Sequence, residues 1–165
     1  RLAQRNGQAG NFKQEHKSFT TKIRLGKHQA LLAMPQTYMN LSGEAVRSLI
    51  DYYDIEQQKL LVIQDEVDLA FGAIRYQTGR GHAGHNGIRN IHQHLGNKDY
   101  DRLKMGVGRP SNPRQDVADY VLQNFDKNEV LKLDAWVDLA AESVESYIES
   151  GLNIAATNYN RTSED

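Results

Sequence analysis

Apolar positions along the chain repeat in two ways, every second residue in short runs and every third or fourth in longer ones. "TTKIRLG" (20–26) and "QALLAM" (29–34) read as strands of a hairpin joined through Gly26, Lys27 and His28, with Pro35 closing the second. "SGEAVRSLIDYYD" (42–54) reads as a helix with Ser42 at its N-cap and Ala45, Leu49, Ile50 and Tyr53 on one face. "KLLVIQD" (59–65) is a continuous apolar run that stops at a carboxylate, the pattern of a buried parallel strand. "GAIRYQ" (72–77) and "RLKMGVG" (102–108) are further strands. "GIRNIHQHL" (87–95) is a helix that Gly96 ends. A short helix over 116–125 precedes a long one, in which Val130, Leu133, Val137, Ala140, Val144 and Ile148 form an amphipathic stripe that Gly151 interrupts.

Strands and helices mixed in this order predict an α/β protein: a single domain over residues 1–165, with a mixed, largely parallel twisted sheet flanked by helices. In such sheets ligands gather beyond the carboxyl ends of the strands. Three polar clusters fall there: Asn40 in "TYMNLSGE", Asp65 to Asp68 in "QDEVD", and His82 to Asn86 in "GRGHAGHNG".

Composition narrows the classes. The hydrophobic share is 39% and the charged share 25%, as in a soluble globular protein. No apolar run reaches the ~20 residues of a bilayer span, and the opening residues are polar, so neither a membrane nor a secreted placement is expected. Zero cysteines exclude disulfides and thiolate metal sites and fit the cytoplasm. Charge is uneven. Between Arg75 and Arg114 eight basic residues face only Asp99 and Asp101, while from Asp126 onward nine carboxylates face Lys127, Lys132 and Arg161. A basic middle beside an acidic tail suits a protein that meets an anion on one side.

The glycine loop admits three readings. Gly79-x-Gly81-x-x-Gly84 has the letters of a dinucleotide fingerprint, but Arg80 and His82 occupy its variable positions and it comes late in the sheet. His82 and His85 with Asp65, Glu66 and Asp68 offer metal-ligand chemistry, without the fixed i, i+4 spacing of a helical site. The third reading is anion binding at a glycine-rich turn feeding a helix, with Arg75, Arg80, Arg89, Arg102 and Lys104 close in sequence. Asn86 adds a carboxamide able to donate or accept, which suits an ester or amide attached to nucleic acid.

"PQTYMNLSG", "VIQDEVDLAFGAIRYQTGRGHAGHNG" and "RLKMGVGRP", in this order, resemble the bacterial-type peptidyl-tRNA hydrolases, from about residue 15 to the closing "AATNYN". The resemblance implies a monomer that needs no metal or organic cofactor and hydrolyses the ester joining a peptide to the 3′ adenosine of tRNA. Its partner would be peptidyl-tRNA, and the glycine loop would be one wall of the ester cleft. By the same resemblance Asn40 binds substrate beside the scissile ester, with Tyr38 lining the cleft. Asp65 orients the catalytic histidine, Asn86 positions peptide and water, and His85 has a secondary part. Lys104 matches a basic residue that grips tRNA phosphate, and Arg102 lies two residues away on the same strand face. Glu66 and Asp68 are expected to stabilise their turn, and His92 and His94 to sit at the surface or the edge of the core.

Departures accompany the resemblance. The family's first strand, its Gly-Asn-Pro-Gly loop and its Thr-Arg-His-Asn turn, which carries the general-base histidine, have no counterpart in these residues, and His16 and His28 match no family histidine. The chain is expected to start within the first helix and to be nearly inactive alone. Ala83 stands where a loop glycine is usual, and Gln77 where a lysine is frequent. Two other functions compete: a non-catalytic RNA-binding protein on the same fold, and a metal-dependent hydrolase using His82 and His85.

Overall fold

The computed structural model describes residues 1–162, so the last two carboxylates of the acidic tail, Glu164 and Asp165, lie outside the described residues. The chain divides into two compact units, one of Arg1, Val62–Gln77 and everything from Arg102 onward, the other of Leu2–Leu61 and Thr78–Asp101.

The second unit opens with a short helix, α1 (Leu2–Arg5), and an antiparallel meander of β1 (Lys13–Glu15), β2 (Ser18–Leu25) and β3 (His28–Pro35). Two-residue turns join the strands. His16 and Lys17 both take positive φ, 47° and 57°, the backbone that matches hairpin twist. The meander is tied to the helix that follows it through Glu15, whose carboxylate accepts from the Thr20 hydroxyl at 2.5 Å and from the Tyr53 hydroxyl, with the Lys13 ammonium 3.2 Å away. These contacts hold the Glu15 carboxyl down at about 2, the Thr20 hydrogen bond first and the Tyr53 one next.

A 3₁₀ turn (Met39–Leu41) leads into α2 (Ser42–Tyr53), which packs on α3 (Asn86–Leu95); Ala45, Val46 and Leu49 of α2 and Ile88 and Ile91 of α3 are buried. Ser42, expected to cap α2, is its first helical residue and donates its hydroxyl to the Met39 carbonyl at 2.7 Å. Gly96 ends α3 in the left-handed conformation, as its position predicts.

The first unit is built on a sheet ordered β4 (Leu61–Glu66), β6 (Asp101–Gly106), β5 (Ile74–Thr78). Asp101 donates to Leu60 and Val107 to Glu66, so β4 and β6 run in the same direction. Gly106 exchanges bonds with Ala73 and Gly72 while Tyr100 faces Thr78, so β5 runs against them. Gly106 is required there, since a Cβ would stand 2.1 Å from the Ala70 carbonyl oxygen. The far edge of β5 is occupied by residues 160 and 161. Ile74 and Arg161 exchange backbone bonds, and the Tyr76 N–H donates to the Asn160 side chain at 2.7 Å. α4 (Val117–Tyr120), α5 (Lys127–Ser150) and α6 (Leu152–Tyr159) complete the unit. Asp126 and Glu129 cap α5 reciprocally.

The α/β class stands, with the strands divided between two three-stranded sheets. The expectation of largely parallel strands is corrected. β1 to β3 are all antiparallel, because two-residue turns leave no room for the crossover that parallel strands need. The stripe on α5 also shifts. Trp136, Ala140, Ser143 and Val144 are among its buried residues, Trp136 lying 4.9 Å from the Phe71 ring, while Val130 is 54% exposed.

Candidate active site

The loop after β5 owes its shape to backbone conformation. Gly79 and Gly84 take φ of +63° and +84°, and Ala83 takes +48°, which costs any residue with a Cβ. Gly87 serves packing instead, since a Cβ there would stand 2.5 Å from the Met39 sulfur. The loop histidines serve the backbone. His82 Nδ1 accepts from Gly84 N–H at 3.0 Å, and His85, the N-cap of α3, accepts from Ile88 N–H through Nδ1 at 3.2 Å. His92 is half-buried with its ring 5.6 Å from that of Tyr100, and His94 is exposed. Among the described residues no three His, Asp or Glu side chains form a group able to hold a metal ion, and the His82–His85 metal site finds no third ligand.

With His85 as cap, Asn86 is the first residue of α3, at the helix end where partial positive charge collects. Its side chain is exposed. Asn40 lies in the 3₁₀ turn that packs against the same helix, with Met39 seated over Gly87. The structure thus brings the Asn40 and Asn86 segments together. Tyr38 precedes the turn and is 83% exposed. With Lys17, Gln36, Thr37, Leu41 and Glu44 it lines an open cleft of about 650 Å³, across which the Lys17 ammonium pairs with Glu44.

In the other unit, Asp65 is half-buried at the end of β4. Strand alternation sends its neighbours Gln64 and Glu66 to the opposite, buried face. Arg102 and Lys104 of β6 meet them there. The expectation that Arg102 binds tRNA is corrected: it is 1% exposed and donates to the Gln64 side-chain oxygen at 3.1 Å. Two residues apart on one strand face does bring Arg102 and Lys104 together, but on an inward face. The Lys104 ammonium stands 3.0 Å from the Glu66 carboxylate, with the two side chains 13% and 8% exposed. Glu66 also accepts the Asp68 N–H at 3.0 Å, so it does stabilise its turn while its other oxygen holds Lys104. Gln77, in place of the frequent lysine, is half-buried near the end of β5.

The fold is that of a solved hydrolase of the α/β class. The structure of peptidyl-tRNA hydrolase from Acinetobacter baumannii superposes with a TM-score of 0.85 at 30% identity, covering 98% of this chain and 81% of that one. The sequence model of one family, described as Peptidyl-tRNA hydrolase, matches residues 1–165. Proteins named peptidyl-tRNA hydrolase are similar along most of their length. That of Bdellovibrio bacteriovorus is 43% identical over 90% of this chain and 80% of its own, and that of Staphylococcus haemolyticus 44% over 84% and 72%. The chain belongs to the peptidyl-tRNA hydrolase family.

Proposed function

We propose that this chain hydrolyses the ester between a peptide and the 3′ adenosine of tRNA, with Asn40 and Asn86 gripping the peptidyl ester. Water adds to the ester carbonyl, the bond to the ribose oxygen breaks, and the products are a free peptide carboxylate and a tRNA with its 3′ hydroxyl restored. The observation that carries this reading is the pair of exposed carboxamides held on a 3₁₀ turn and a helix N-terminus that pack together. A carboxamide donor can meet the carbonyl oxygen as charge develops on it, and the helix end favours that charge. Tyr38 presents an exposed ring beside Asn40, and His85 fixes the loop backbone from which Asn86 projects.

Asp65 serves as the carboxylate that orients a general-base histidine. The family places that histidine in a Thr-Arg-His-Asn turn, which these 165 residues do not contain. In this reading the chain acts as a monomer in the cytoplasm. Among the described residues no helix is long and apolar enough to cross a membrane. The test is binding of a non-hydrolysable peptidyl-adenosine amide. The chain binds it, and Asn40→Ala and Asn86→Ala each weaken binding by about 0.5–1.5 kcal/mol, the net contribution of one hydrogen bond. Unchanged affinity in both variants would overturn the reading.

A further inference from the structure

α2 begins without a local cap. Leu41 at its N-cap offers no side-chain acceptor, and the Ser42 hydroxyl points back to the Met39 carbonyl. The missing acceptor comes from another helix: Asn90 of α3 receives the Gly43 N–H on its carboxamide oxygen at 2.8 Å. The approach needs a residue without a Cβ, which at position 43 would lie 2.4 Å from the Asn90 carbonyl oxygen and 2.6 Å from the His94 ring. Asn90 is one helical turn beyond Asn86, and Gly43 follows Asn40 by three residues. This hydrogen bond therefore joins α3, which carries Asn86, to α2, the helix that directly follows the turn carrying Asn40. Met39 over Gly87 forms a second point of contact between the same segments.

We infer that Asn90 is a positioning residue for peptidyl-ester binding, capping α2 from α3 so that Asn40 and Asn86 keep one mutual geometry. The inference rests on the substrate reading of those two residues. An acceptor oxygen on a side chain of this length is what the position requires. Aspartate can supply it, and leucine, of similar size, cannot. Removing the acceptor leaves α2 to start wherever its first turn settles, and the 3₁₀ turn with Asn40 moves with it.

The experiment uses the peptidyl-adenosine amide, titrated into the chain and its variants, with NMR signals of the Asn40 and Asn86 side-chain amides followed in parallel. Asn90→Leu is expected to weaken binding about fivefold to tenfold, the equivalent of one hydrogen bond, and to shift both amide signals while those of the β1–β3 meander hold. Asn90→Asp is expected to restore affinity and both signals. Equal losses in the leucine and aspartate variants, or no loss in either, overturn the inference. Should Asn90→Leu fail to fold, amide exchange in the unaltered chain still decides. Strong protection of the Gly43 N–H supports the cap, and free exchange overturns it. Asn40→Ala and Asn86→Ala are the controls for the underlying reading. If both leave affinity unchanged, the substrate assignment and with it the positioning role fall, while Gly43 protection in the same samples reports on the cap by itself.

Discussion

Lys104 is neutralised by Glu66: the ammonium of one lies 3.0 Å from the carboxylate of the other, and both side chains are largely withdrawn from water. A lysine held this way contributes first to the integrity of the β4–β6 pair and only after that to any phosphate it meets.

Lys104→Ala should therefore cost about 3–5 kcal/mol of stability, because it strands a buried carboxylate, and Glu66→Gln in the same chain should recover much of that loss. Urea midpoints of the single and double variants measure it. In binding, a phosphate role adds a separate signature. At temperatures where the variant is folded, affinity for tRNA with a 5′-phosphate falls more at low salt than at high. Equal loss for tRNA and for a peptidyl ester without the tRNA body would make Lys104 purely structural.

Ala83 holds a φ of +48°, a conformation that penalises any Cβ. Ala83→Gly should raise stability by roughly 0.5–1 kcal/mol, or a few degrees in melting temperature, since the methyl group it removes is exposed to solvent. A fall in melting temperature would contradict the strain.

Glu15 sets an acid limit on the meander. Its carboxyl is held at about 2 rather than the ordinary 4.5, so its contribution is complete above about pH 4.5 and is lost as pH falls toward 2. Glu15→Gln should lower stability at pH 7 and flatten the decline between pH 4.5 and 2. Parallel pH profiles for both proteins would show that the carboxylate is not linked to folding.

Peptidyl-tRNA hydrolysis needs a general base, which typically contributes ~10²–10⁴-fold, and Asp65 is the carboxylate assigned to hold that histidine in its working tautomer. In the enzyme carrying the family's Thr-Arg-His-Asn turn, Asp65→Asn should remove most of the turnover by favouring the wrong tautomer. Undiminished turnover in Asp65→Asn would redirect the search for the base and its partner to His16, His82 or His85.

Legibility differs with the kind of signal. α3 and its glycine stop can be read because periodicity and αL chemistry agree. β1 has no signature of its own, because Lys-Gln-Glu lacks apolar alternation and pairs only by virtue of the turn beside it. Arg102 misleads because alternation says which residues share a face, not which face is inward. Gln64 and Glu66 on the neighbouring strand decide that, through a pairing the sequence does not announce. Asn90 is invisible for a related reason. A local serine is available as a cap, and the acceptor that replaces it sits nearly fifty positions away. The Asn40 and Asn86 segments, by contrast, stand out by their motifs, and the packing of the 3₁₀ turn on α3 brings them together.

The pairing of Ile74 with Arg161 has a consequence for synthesis. β5 leaves the ribosome long before its edge partner does, and at ordinary elongation rates the interval is on the order of 5–20 s. Throughout that interval a strand with free N–H and C=O groups is open to any other extended chain nearby. The nascent protein therefore carries an open strand edge until the residues just past α6 emerge, and a stalled or prematurely terminated product would carry that hazard permanently.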